Sequence, residues 1–97
     1  MRLVVFFDLP TTTPEERRKA VRFRKYLIRQ GFSMLQCSVY IRTTSNYDES
    51  EKYIAIVEAG RPEKGDVRCL KITEQQYTSI EQPNNDLSLS TEELIVI

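Results

Sequence analysis

Two sets of residues in this chain have the type and spacing to do chemistry. The first is a single carboxylate. Asp8 closes the apolar run Phe6-Phe7 and stands just before Leu9-Pro10. A carboxylate fixed at the end of a buried strand meets the need of an oxygen-ligated Mg²⁺ or Mn²⁺ for rigid placement. The same residue could instead make an Asx-type turn bond ahead of Pro10. One carboxylate is few for a metal, and a two-fold axis near Asp8 would supply a second.

The second set is a row of cations. At about 100° per residue, Arg18, Arg22, Lys25 and Arg29 share a stripe roughly 60° wide, while Ala20, Phe23 and Leu27 share the opposite one. Cations at i, i+4, i+7 and i+11 rise along ~16 Å of helix and match several phosphates of one nucleic-acid strand. Arg17 and Arg24 flank them. A solvated helix face is the plain alternative, but such a face mixes signs, and past Glu16 this segment carries no acid.

Other chemistries are excluded. The chain has no histidine, which removes Ser-His-Asp and Cys-His nucleophilic sites and imidazole-ligated zinc. Its three glycines, Gly31, Gly60 and Gly65, cannot build a GxGxxG turn or a P-loop. Val-Phe-Phe-Asp-Leu-Pro faintly suggests a base-stacking strand, yet no Gly-Phe-Gly-Phe-like partner strand exists for it.

The elements that must position these residues follow from pattern. Arg2–Asp8 predicts a buried central strand. Thr13-Pro14-Glu15-Glu16 reads as a helix start with a capping box, and Gly31 as its stop. Phe32–Arg42 alternates Cys37, Val39 and Ile41 against Ser38, Tyr40 and Arg42. That reading puts Ser38 and Tyr40 on a polar face and makes Cys37 and Cys69 buried thiols. Asn46 and Glu49 repeat the cap signature, and Ser50, Tyr53, Ile54 and Val57 fall on one helical face, although the β-branched residues of 54–57 also suit a strand. A strand from Val67 to Ile72 and a short helix within Thr73–Ile80 complete the pattern. Strand and helix alternate to give an α+β sandwich, one sheet with two helices on one face. The apolar end Leu94–Ile97, beyond a polar linker, is expected to add a strand to a second copy.

Ninety-seven residues, 40% apolar and 29% charged, suit one small globular domain. No apolar run approaches the ~20 residues of a membrane span, and no signal peptide is visible, so a cytoplasmic protein without membrane partners is expected. Net charge is zero, but residues 1–42 hold nine bases and three acids, and residues 43–97 hold five and eleven. That asymmetry points to a basic face meeting an anion.

Together these features resemble the CRISPR-associated protein 2 family. The resemblance rests on the strand ending Phe7-Asp8-Leu9-Pro10, the basic first helix, Gln36-Cys37-Ser38-Val39-Tyr40, and Gly65-Asp66-Val67-Arg68 leading into the last strand. It implies a ferredoxin-like βαββαβ domain over residues 1–80, with Phe32–Arg42 broken into two strands and residues 81–97 as linker and C-terminal strand docking on the partner of a homodimer. It further implies a Mg²⁺- or Mn²⁺-dependent endonuclease of the spacer-acquisition machinery, cutting RNA or DNA, with Asp8 as catalytic metal ligand. Arg17 or Arg18 would contact nucleic acid, and Ser38 and Tyr40 match the family's Ser-Val-aromatic motif. The other implied role is an adapter that bridges integrase subunits and holds duplex spacer DNA.

Overall fold

In the computed structural model, which describes residues 1–83, four antiparallel strands form one sheet in the order β2-β3-β1-β4. The elements are β1 (Arg2–Asp8), α1 (Pro14–Arg29), β2 (Ser33–Gln36), β3 (Val39–Thr43), α2 (Tyr47–Gly60), β4 (Asp66–Ile72) and α3 (Glu74–Thr78). The chain thus follows the ferredoxin-like βαββαβ order, with a short third helix added. The expected strand at 94–97 lies outside the described residues.

Strand β1 is central, pairing along both edges, and its apolar alternation is buried fully on one face and in part on the other. Leu3, Val5 and Phe7 face α1 and α2 and are buried, and Val4 on the other face is 9% exposed. Its two edges pair with β3 and β4 over most of its length. The helices cover one side through Ala20, Phe23 and Leu27 of α1 and Ser50 and Val57 of α2. Phe7 meets Phe23 edge-on at 5.1 Å and stacks on Tyr40 at 5.8 Å, joining sheet to helix in one cluster.

The helix ends obey local chemistry. Thr13 Oγ1 accepts from the Glu16 N–H, and Glu16 accepts from the Thr13 and Thr12 N–H groups, which holds the Glu16 carboxyl below the usual carboxylate range. Asn46 caps α2 by accepting from the Glu49 N–H. The β-branched run at 54–57 is helical, since the cap and the Ser50–Val57 face outweigh local propensity. That helix also takes in Gly60. Gly31 follows α1 at φ +91, a region open to glycine, and a Cβ there would enter the Arg42 guanidinium. Arg42 lies over the Tyr53 ring at 4.0 Å and donates to its hydroxyl at 2.8 Å.

Phe32–Arg42 is two strands, as the resemblance implies, and two readings from its alternation are corrected. The stretch breaks at residues 37–38, where Ser38 takes φ +68 and supplies the turn that a glycine or Asn-Gly would have announced. Cys37 therefore sits in the turn, exposed, and is not a buried thiol. Tyr40 is 2% exposed and belongs to the core, not to a polar face. Cys69 is half-buried on the helix side, and burial pushes its thiol up.

Because Phe23 joins α1 to β1 at the centre of the core cluster, Phe23→Ala is expected to cost about 3–5 kcal/mol, read from urea unfolding of the full chain. A loss under about 1 kcal/mol would show that the cluster around Phe7 is not the centre of the core.

Candidate nucleic-acid interface and carboxylate site

Helix α1 carries seven of the nine cations in residues 1–42, and the other two are engaged elsewhere. Arg2 pairs with Glu74 and covers Tyr77, and Arg42 is turned inward. Arg18, Arg22, Lys25 and Arg29 are all exposed, on the side away from the Ala20-Phe23-Leu27 face. The α1 ion pair among the described residues is Lys19 with Glu15 at 4.0 Å, so the four stripe cations have no acidic partner there. Exposed Val21 and Ile28 run beside them. Arg17 donates to the carbonyls of Thr11 and Thr12 at 3.0 and 3.1 Å, which ties it to the loop and leaves Arg18 the freer of the two. Such a face, one-signed and sequence-independent in shape, can neutralise backbone phosphates without reading bases.

The carboxylate site lies on the other face of the sheet. Asp8 is exposed at the end of β1, and among the described residues no hydrogen bond or ion pair engages its carboxylate, including the Asx-turn bond weighed from sequence. The β1–β4 register sets Asp66 directly opposite it. Opposed like charges in a non-local pair ordinarily destabilise a sheet. Asp66 is balanced by its own strand neighbour, accepting from Arg68 Nε at 2.8 Å. Gly65 makes the approach possible: it takes φ +104, and a Cβ there would lie 2.7 Å from Leu9 Cδ2 and 3.0 Å from the Asp8 carbonyl.

Asp66 is the site residue that sequence reasoning missed. No second acid is near Asp8 along the chain, and only antiparallel pairing of β4 with β1 brings one. The signal was present in Gly65-Asp66 at the start of the last strand, which must meet the end of the first. Ser38 and Tyr40 do come to this end of the sheet, but both act on the residue before Asp8. The Phe7 N–H donates to the Ser38 carbonyl at 3.1 Å, and Tyr40 stacks on the Phe7 ring. They hold the strand end in place.

Between Asp8 and α3, the open face is apolar. Phe6 stays 37% and Leu70 52% exposed, with Val4, Val39 and Ile41 around them. Oxygen donors at one end of this face suit a hard cation that keeps several waters, which takes one or two carboxylates. Among the described residues no cluster of three or more acids, cysteines or histidines forms a complete cage. No helix there is long and apolar enough to cross a membrane.

Comparison with known proteins agrees with this architecture. A family model described as CRISPR associated protein Cas2 matches residues 1–80. A Treponema denticola protein named CRISPR-associated endoribonuclease Cas2 is 44% identical over 81 residues, covering 84% of this chain and 80% of that one. Proteins of the same name from Ligilactobacillus salivarius and Streptococcus mutans are 45% and 37% identical, covering 82% and 93% of this chain and 79% and 83% of theirs. The crystal structure of Streptococcus pyogenes Cas2 at pH 6.5 superposes with a TM-score of 0.65 at 19% identity, over 84% of this chain and 98% of that one, and so shares the fold. Strand order, length and sequence converge: the chain belongs to the Cas2 family of CRISPR-associated proteins.

Proposed function

We propose that the protein is a metal-dependent endonuclease of CRISPR adaptation, acting as a homodimer that grips nucleic acid through α1 and hydrolyses a phosphodiester bond at Asp8. The observation that carries the reading is the exposed, unengaged Asp8 carboxylate held at the end of the central strand. The relatives' name, endoribonuclease, makes RNA the first substrate to test, with duplex DNA beside it.

Asp8, with Asp66 opposite, supplies the oxygen donors that would hold Mg²⁺ or Mn²⁺. When bound, such an ion supplies an activated water and offsets charge on the phosphate. Asp8 orients it from a strand end that cannot shift without breaking the Phe7 packing. Arg68, kept in place by Asp66, offers its remaining N–H groups to a nearby phosphate oxygen. The homodimer follows from the open face. Phe6 and Leu70 remain exposed at its centre, and apposing two such faces would bring two copies of Asp8 to one interface.

One observation favours a second reading. Within a subunit, the α1 cations and Asp8 lie on opposite faces of the sheet, so the binding surface is complete without the carboxylate. A non-catalytic adapter that holds duplex spacer DNA and bridges integrase subunits needs only the first surface.

Asp8→Asn keeps the shape and removes the charge. Metal-dependent cleavage of RNA or DNA is expected to fall by at least about 100-fold while duplex affinity holds. Undiminished cleavage by that variant, or full activity in excess EDTA, would reject the catalytic assignment. Replacing Arg18, Arg22, Lys25 or Arg29 singly by Gln should weaken binding to all sequences alike and flatten the log–log salt dependence by about 0.9 per lost duplex phosphate. Because these side chains are exposed and face away from the core, stability should hold within about 0.5 kcal/mol. Unchanged salt slopes would make the stripe a solvated face. Phe6→Asp with Leu70→Asp should yield monomers in sedimentation, and a persistent dimer would place the interface elsewhere.

A further inference from the structure

Gly60, the last residue of α2, lies so close to Tyr26 of α1 that a Cβ at this position would enter the ring. The Tyr26 hydroxyl donates to the Ile56 carbonyl at 2.7 Å. These contacts clamp the end of α2 onto the last turn of α1, and they deliver the next residue, Arg61, beside the α1 cations. A groove of about 260 Å³ opens there, with Lys19, Arg22, Arg29 and Arg61 around a floor that includes Tyr26 and Pro62. No carboxylate lines it. Arg22, Arg29 and Arg61 form no ion pair among the described residues, and Lys19 meets Glu15 only at 4.0 Å. Glu58 and Asp66 line the neighbouring groove on the far side of Arg61.

Helix dipoles account for Arg29 and Arg61 individually, since each stands at a helix C-terminus. They do not account for Lys19 and Arg22, which sit nearer the start and middle of α1 and face the same groove. Four like charges around one concavity repel each other unless an anion enters.

We propose that this groove holds a backbone phosphate of the bound nucleic acid, so that the strand crosses from α1 to the end of α2 and Arg61 becomes a contact supplied by a second helix. This rests on the nucleic-acid-binding reading above and extends it beyond the α1 stripe. Tyr26 and Gly60 are its positioning residues, because they fix where Arg61 stands.

The test uses the full chain and a duplex of arbitrary sequence, with binding followed by anisotropy across a salt series. R61Q is expected to weaken binding about three- to tenfold near 100 mM salt and to make the slope less negative by about 0.9. R61K should keep the slope, and both variants should melt with the wild type. R22Q combined with R61Q should lose less than the product of the single losses, since both serve one phosphate. R18Q, outside the groove, separates the two readings. If R18Q weakens binding and R61Q does not, Arg61 only caps α2 and the inference fails alone. If neither changes affinity, the nucleic-acid reading fails with it. Inorganic phosphate at fixed ionic strength should not displace the duplex at about 10 mM. Displacement at that level would make the groove a site for free anions instead.

Discussion

The position of β1 is the constraint on which the rest depends. It is hydrogen-bonded along both edges, and Leu3, Val5 and Phe7 carry the helix layer. Phe7 has no freedom left: Phe23 meets it from α1, Tyr40 from β3, and Ser38 accepts its N–H. Asp8 is the next residue and inherits that immobility while its side chain reaches solvent. A carboxylate on a loop would lose conformational freedom on binding a cation. Here most of that loss is already met by folding the core.

The same strand separates two chemistries. Its odd-numbered residues hold α1 against one face, and α1 turns its cations outward. Its even-numbered residues, Val4, Phe6 and Asp8, form the other face with β3 and β4. The neutral net charge conceals this arrangement, because eleven of the fourteen acids follow residue 42, four of them on α2, while α1 past Glu16 has none. The α1 cations and the Asp8 carboxylate therefore occupy different surfaces of one subunit.

How much was legible in the sequence depended on range. The α1 limits, its buried and basic faces and its capping box were readable because each rests on contacts within four residues. The central strand was readable from its double-sided apolar pattern. Asp66 was not, since only pairing across some sixty residues of chain sets it opposite Asp8. The faces of β3 were misassigned because both are apolar: Val39 and Ile41 line the open face, and the amphipathic Tyr40 enters the core. Cys37 was misread for a related reason, as a serine rather than a glycine makes the turn that breaks the alternation. The groove at Arg61 needed the packing of Gly60 on Tyr26, which no periodicity announces.

The central claim is that metal chemistry resides at the end of β1, apart from the phosphate-binding face. Paramagnetic broadening by Mn²⁺ in amide NMR spectra of the full chain tests it most directly. The account predicts that substoichiometric Mn²⁺ first erases the signals of Phe7, Asp8 and Leu9 and those of Asp66 and Val67, that α1 beyond Arg18 stays sharp, and that Asp8→Asn restores the lost signals. Broadening centred on another segment, or unchanged by Asp8→Asn, would contradict it.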